Sequence, residues 1–212
     1  MIKIDGVVVP DSKMASEATE LVRDTASAML FNHSNRVYYF ATFAGQQRGV
    51  QFDSELLYIS SMFHDLGLTA LHSSRSDRFE VDGANAARDF LRRHRIDQKD
   101  IDTVWAAIAL HTTPGIPQYM HPVIALLNAG VVMDVIGIGY ENFTAAQRNS
   151  VVKAYPRDPS FEEELIQAFY DGIKHKPETA YGTINADILA AKDPNFRRID
   201  MCSRILHSRW RE

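Results

Sequence analysis

Apolar residues in this chain recur mostly at the three- and four-residue spacing of one helix face, and few stretches alternate as a strand would. Ser16 is placed to cap a first helix that runs to about Phe31, with Leu21, Ala28 and Met29 among its apolar positions. "SNRVYYFATFAG" reads as a second helix stopped near Gly45. Asp53 caps a third, "SELLYISSMFHDLGL", and the serine- and charge-rich "TALHSSRSDR" then reads as a loop.

"VDGANAARDFLRRHR" is amphipathic, with Ala84, Ala87, Phe90 and Leu91 on one side and arginines on the other. "DQKDIDTVWAAIALH" places its acidic residues early, as a helix start favours. After the proline-broken "TTPGIPQYMHP", the segment "VIALLNAGVVMDVIG" is almost wholly apolar and reads as a buried helix. The last third keeps the helical habit in "TAAQRNSVVKAY", "PSFEEELIQAFYDGIKH" and "NFRRIDMCSRILHSRW". The expectation is an all-α fold: a lead-in over residues 1–14, then one bundle of eight to ten helices over 15–212.

Composition narrows the class. At 212 residues, 45% hydrophobic and 24% charged, the chain has the make-up of a globular domain with a real core. A net charge of −4 gives no footprint for nucleic acid or an anionic membrane. The single cysteine, Cys202, rules out an internal disulfide framework and fits a reducing compartment. The apolar patch near the N-terminus is broken by Asp5, Gly6 and Pro10, and the buried-helix segment is shorter than a bilayer span. The expectation is a cytoplasmic protein with a small-molecule substrate, free of membrane and nucleic-acid partners and compatible with homo-oligomer formation.

Three polar interruptions of apolar helical stretches carry the chemistry: His33 in "LFNHSNRVYYF", the His64–Asp65 pair in "MFHDLGLTA", and Asp134 in "GVVMDVIG". An unpaired buried carboxylate costs several kcal/mol or more, so each needs a partner. Two imidazoles and two carboxylates make a plausible shell for one divalent transition metal with positions left for water. Taken singly, each also has a plainer reading, as a hydrogen-bonded core histidine or a helix cap.

The order His33, His64–Asp65, Asp134 resembles the HD-domain superfamily of metal-dependent hydrolases. "NHSNRVYYFA", "LLYISSMFHDLGLT", "RFEVDGANAARDFL" and "AIALHTTPGIP" follow in the expected order, over roughly residues 15–212. Within that superfamily the chain is most similar to the cyanamide hydratase-like branch, its closing "FRRIDMCSRILHSRW" included. The resemblance implies that His33, His64, Asp65 and Asp134 are metal ligands on a bundle-core site. It also implies one divalent ion (zinc or iron first; manganese, nickel or cobalt also fit) and Asp65 as a catalytic group. Two-metal relatives carry a histidine where this chain has Asp82, so a second site would be incomplete.

His111 closes an apolar helix before a proline-rich loop, which suits proton transfer or substrate orientation; a cation near a helix C-terminus is the alternative. Arg36 follows His33 by three residues and can share its helix face, to bind a substrate anion or hold a ligand carboxylate. His72 and Arg78 in the loop after the HD pair, and His121 after the proline-rich turn, complete the candidate substrate contacts. No phosphate-binding glycine loop or nucleophile elbow is present.

Two substrate classes therefore stand: hydration of a nitrile or cyanamide, which the branch resemblance favours, and hydrolysis of a phosphate ester such as a nucleotide. A non-catalytic regulatory protein with a structural metal is the reading of another class. A two-metal oxygenase comes last, because of Asp82.

Overall fold

The computed structural model describes residues 3–210, which form ten α-helices and one two-residue-per-strand hairpin. The lead-in is that hairpin: β1 (Lys3–Ile4) pairs antiparallel with β2 (Val7–Val8), Ile4 opposite Val7. Asp5 and Gly6 both take positive φ, as a tight Asp-Gly hairpin turn requires.

The first two helices divide differently from the sequence expectation. Ser12, not Ser16, caps α1 (Lys13–Thr25), accepting from the Ala15 N–H; Ser27 then caps α2 (Ala28–Gln47) by accepting from Leu30. The apolar spacing is nearly continuous across this junction, and only the second serine cap marks the break. Asp53 caps α3 (Ser54–Phe63) as expected, with bonds from the Glu55 and Leu56 amides. There follow α4 (Phe79–Arg93), α5 (Gln98–Leu110), α6 (Pro122–Ile136), α7 (Ala145–Ala154), α8 (Phe161–Ile173), α9 (Asn185–Lys192) and the short α10 (Met201–Leu206).

Two hydrophobic clusters meet at the site. The larger joins α1 to α6 around Tyr39, Leu57, Phe63, Leu91, Ile108 and Leu127; the smaller gathers Leu30, Leu68 and Phe79 under α8 and α9. Helices α2 and α6 pack most closely, because Gly130 lets α6 approach: a β-carbon there would overlap the Val37 carbonyl oxygen. That approach brings Asp134 of α6 beside His33 of α2. No helix among the described residues is long and apolar enough to cross a membrane.

Candidate metal centre

The HD pair sits at a break in the helix. His64 is the C-cap of α3 and keeps helical dihedrals; Asp65 moves to φ −103°, ψ 5°, and a single 3₁₀ turn, Leu66–Leu68, follows. On an unbroken helix the two side chains would diverge by about 100°. The break instead brings His64 Nε2 to 3.2 Å from Asp65 Oδ2. Two glycines clamp the turn against α4. A β-carbon on Gly67 would overlap the Phe79 carbonyl oxygen, and one on Gly83 would lie 2.8 Å from the Phe63 carbonyl oxygen. Alanine at either position would push α4 away from the pair.

Around this turn three imidazoles converge, all at least 99% buried. His33 Nε2 lies 3.1 Å from His64 Nε2 and 3.5 Å from Asp65 Oδ2. His111, at the C-cap of α5, places Nε2 3.4 Å from Asp65 Oδ1. Each ring is held by its other nitrogen. His64 Nδ1 donates to the Ser61 carbonyl at 2.7 Å and His111 Nδ1 to the Ile108 carbonyl at 2.6 Å. His33 Nδ1 donates to Asp134 Oδ2 at 2.7 Å.

A carbonyl or carboxylate oxygen only accepts, so all three rings carry their proton on Nδ1 when neutral. Their Nε2 lone pairs then face one another and the Asp65 carboxylate. Both Asp65 oxygens and His111 Nε2 are buried without a hydrogen-bond partner. A buried nest of acceptors with no donor is repulsive unless a cation fills it. Burial opposes ionisation of Asp65, but without a metal a proton on His64, with His111 and His33 beside it, supplies the missing positive charge and holds the carboxyl well below its usual range. Burial also holds His33 below the ordinary imidazole value, despite Asp134. At His64 burial is overcome by Asp65 and the Ser61 carbonyl, and the net shift is upward.

His33, His64 and Asp65 offer donor atoms within 4.8 Å of one another, the one such group among the described residues. Ligand bonds of about 2.0–2.2 Å to a common ion imply spacings near 3–3.5 Å between ligand atoms, which these three match. The donor set therefore fits a divalent transition metal.

Asp134, the fourth expected ligand, lies outside this three-residue donor group. Its Oδ1 accepts from Arg36 Nε at 2.8 Å, and its Oδ2 accepts from Arg36 NH2 at 2.9 Å as well as from His33 Nδ1. It stands behind His33, on the side of the ring away from the nest. A carboxylate in the last turn of a helix is opposed by the helix dipole and needs such a counter-charge. Burial alone would raise its pKa, but His33 first and then the Arg36 guanidinium lower it to about 2.

Arg36 thus takes the carboxylate-holding role of its two alternatives. It is fully buried, donates also to the Pro156 carbonyl at 2.7 Å, and stacks on Phe161. It does not line the cavity next to the nest.

The remaining substrate-contact candidates, Arg78, His121 and His72, do not line the cavity next to the nest. Arg78 is the N-cap of α4 and pairs with buried Glu80 at 2.8 Å. His121 is the exposed N-cap of α6, where its ring accepts from Val123 N at 3.4 Å. His72 is half-buried in the loop and absent from the cavity wall. Loop and cap positions fit these residues because nothing in their local pattern tied them to the apolar stripes.

Asp82 has its own counter-ion. Lys176, fully buried, reaches its Oδ2 at 2.5 Å, and the Ser74 amide donates to the same oxygen at 2.9 Å. Lys176 thus neutralises Asp82 from within the protein.

The nest forms the floor of a cavity of about 700 Å³. The family model for the HD domain matches residues 30–167, nearly two thirds of the chain. The chain belongs to the HD domain family. HD domains bind divalent metals and are mostly metal-dependent phosphohydrolases, which places this protein coarsely among the metal-dependent hydrolases. The search of curated proteins returned no match.

Sequence reasoning missed Glu80, which accepts from Thr112 Oγ1 at 2.6 Å and so braces the residue next to His111. It also missed Asn128, whose side chain donates to the His111 carbonyl at 2.9 Å, and the lysine partner of Asp82. A buried lysine 94 residues from its carboxylate leaves no local signal.

Proposed function

We propose that this HD domain protein is a metal-dependent hydrolase that adds water to an uncharged electrophile, with hydration of a nitrile or cyanamide-type group as the favoured reaction. The observation that carries this reading is the cavity above the nest. Among the described residues no lysine or arginine lines it, and most of its wall is aliphatic and aromatic side chains of α6, α8 and α9. A phosphate ester in such a cavity would lose water without gaining a cationic side chain in return. The branch resemblance points the same way.

His33, His64 and Asp65 would hold the ion. When bound, a divalent metal lowers the pKa of its water toward neutrality and polarises the substrate. The chain supplies the rest. Arg36 fixes Asp134, which fixes the His33 ring; such second contacts set the tautomer and orientation of a ligating imidazole. The Ser61 and Ile108 carbonyls do the same for His64 and His111. His111 Nε2, on the cavity floor and outside the three-residue donor group, is placed to take a proton from the attacking water and return it to the product. The Asp65 oxygen facing it keeps the resulting imidazolium stable.

Phosphate-ester hydrolysis is the second reading, favoured by the predominant activity of the family. A purely structural metal is disfavoured, since a structural site is closed on all sides and this donor group opens onto a cavity. The test is the metal-reconstituted protein assayed against aliphatic and aromatic nitriles, cyanamide and a nucleotide panel. Turnover of nitriles or cyanamide with nucleotides inert is expected. Phosphate release from nucleotides alone would overturn hydration in favour of the second reading.

A further inference from the structure

We infer that the cavity accepts a substrate with an elongated hydrocarbon body and an uncharged polar head, the head at the nest and the body between α6 and α8. The inference rests on the uncharged-substrate reading and names its class more narrowly.

Size comes first. Pockets that enclose drug-sized ligands measure about 300–1,000 Å³, and this one, at about 700 Å³, lies well inside that range. Cyanamide has three heavy atoms, and a water molecule occupies about 30 Å³ of liquid. A molecule that small would leave most of the space to water facing apolar walls.

The walls are apolar over most of their length. Val131, Val132 and Val135 face the space from α6; Phe161, Leu165 and Phe169 face it from α8. Ile184 and Ile188 close the side formed by α9, and exposed Ile136 and Ile138 continue the apolar lining outward. Polar groups are confined to two places. One is the floor, with the nest, Thr112 and Asn128. The other is the outer part, where Gln118 and Glu162 are exposed and Glu162 is paired with Arg157 at 2.8 Å. Among the described residues Glu162 is the one acidic group on the wall outside the nest, and Arg157 already neutralises it. Among the described residues the wall thus offers an anionic head no lysine or arginine, whereas a hydrocarbon body gains contact with every methylene it buries.

The test uses primary amides, the products expected of nitrile hydration, because they bind without reacting. Butanamide, hexanamide and octanamide are titrated calorimetrically into the purified protein, with alkyl phosphates of the same lengths as the comparison. Each added methylene should tighten amide binding about fourfold. Val135→Phe, which fills the middle of the space, should abolish the gain beyond butanamide while leaving the melting temperature and metal content unchanged. Ile184→Trp, on the exposed side of α9, repeats the test should Val135→Phe not fold. Affinity that stays flat with chain length, or alkyl phosphates binding more tightly than amides, overturns the inference. Chain-length dependence without nitrile turnover would keep the inference and defeat the hydration reading. Nitrile turnover without chain-length dependence would do the reverse.

Discussion

Asp65 and Asp82 are both more than 90% buried, and both lie against the turn that contains Gly67, yet they are provided for in opposite ways. Asp82 has a lysine ammonium and a backbone amide on one oxygen. Asp65 has three imidazole Nε2 atoms around it and a hydrogen bond to neither oxygen. The first is a finished ion pair that joins the end of α8 to α4. The second is finished only by a cation from outside. The contrast separates a carboxylate that holds the fold from one that the fold holds ready for chemistry.

Substitution should break this contrast in a fixed order. His111→Ala should lower turnover by about 10²–10⁴-fold while metal content stays at the wild-type level. Loss of the metal instead would make His111 a ligand; elemental analysis beside steady-state kinetics distinguishes the two. Lys176→Met leaves the Asp82 carboxylate buried and alone, and should cost about 3–5 kcal/mol in denaturant unfolding with metal binding retained in the folded fraction. Asp65→Asn should cost the metal-free protein less than that, because neither Asp65 oxygen has a hydrogen bond to lose and no lysine is left behind unpaired; parallel denaturant curves check it.

Asp134→Asn sharpens the boundary between ligand and support. Acting through His33, it should weaken metal binding by about 10–100-fold without abolishing it. It should also change the acid response of the metal-free protein. The native carboxyl titrates near about 2, against 3.8 for the free group. Its stabilisation is therefore complete above the unfolded value and lost as pH falls toward 2. The variant should lack that part of the acid unfolding curve. His121→Ala marks the small end of the scale, with a cost of about 1 kcal/mol or less from a long cap bond and no change in metal content or turnover.

Much of this was legible in the chain. Helical spacing and caps such as Asp53 are local signals, and they placed most of the helices in order. His33, His64 and Asp65 were visible because they interrupt apolar stripes, and His111 because it ends one. What stayed hidden depends on distant partners. Nothing local to Asp134 announces that Arg36 donates to both its oxygens. Arg78 and His121 read as contacts to substrate until their loops are seen to turn them into helix caps. Gly67, Gly83 and Gly130 look like ordinary helix or turn glycines, yet each marks a backbone approach that sets the position of a site residue.

The account turns on whether the Asp65 nest takes one ion. Metal stoichiometry by elemental analysis, on wild-type protein and on His64→Ala and Asp65→Asn purified alike, decides it. Close to one divalent ion per chain in the wild type and almost none in either variant is the predicted result. Equal metal content in all three would contradict it.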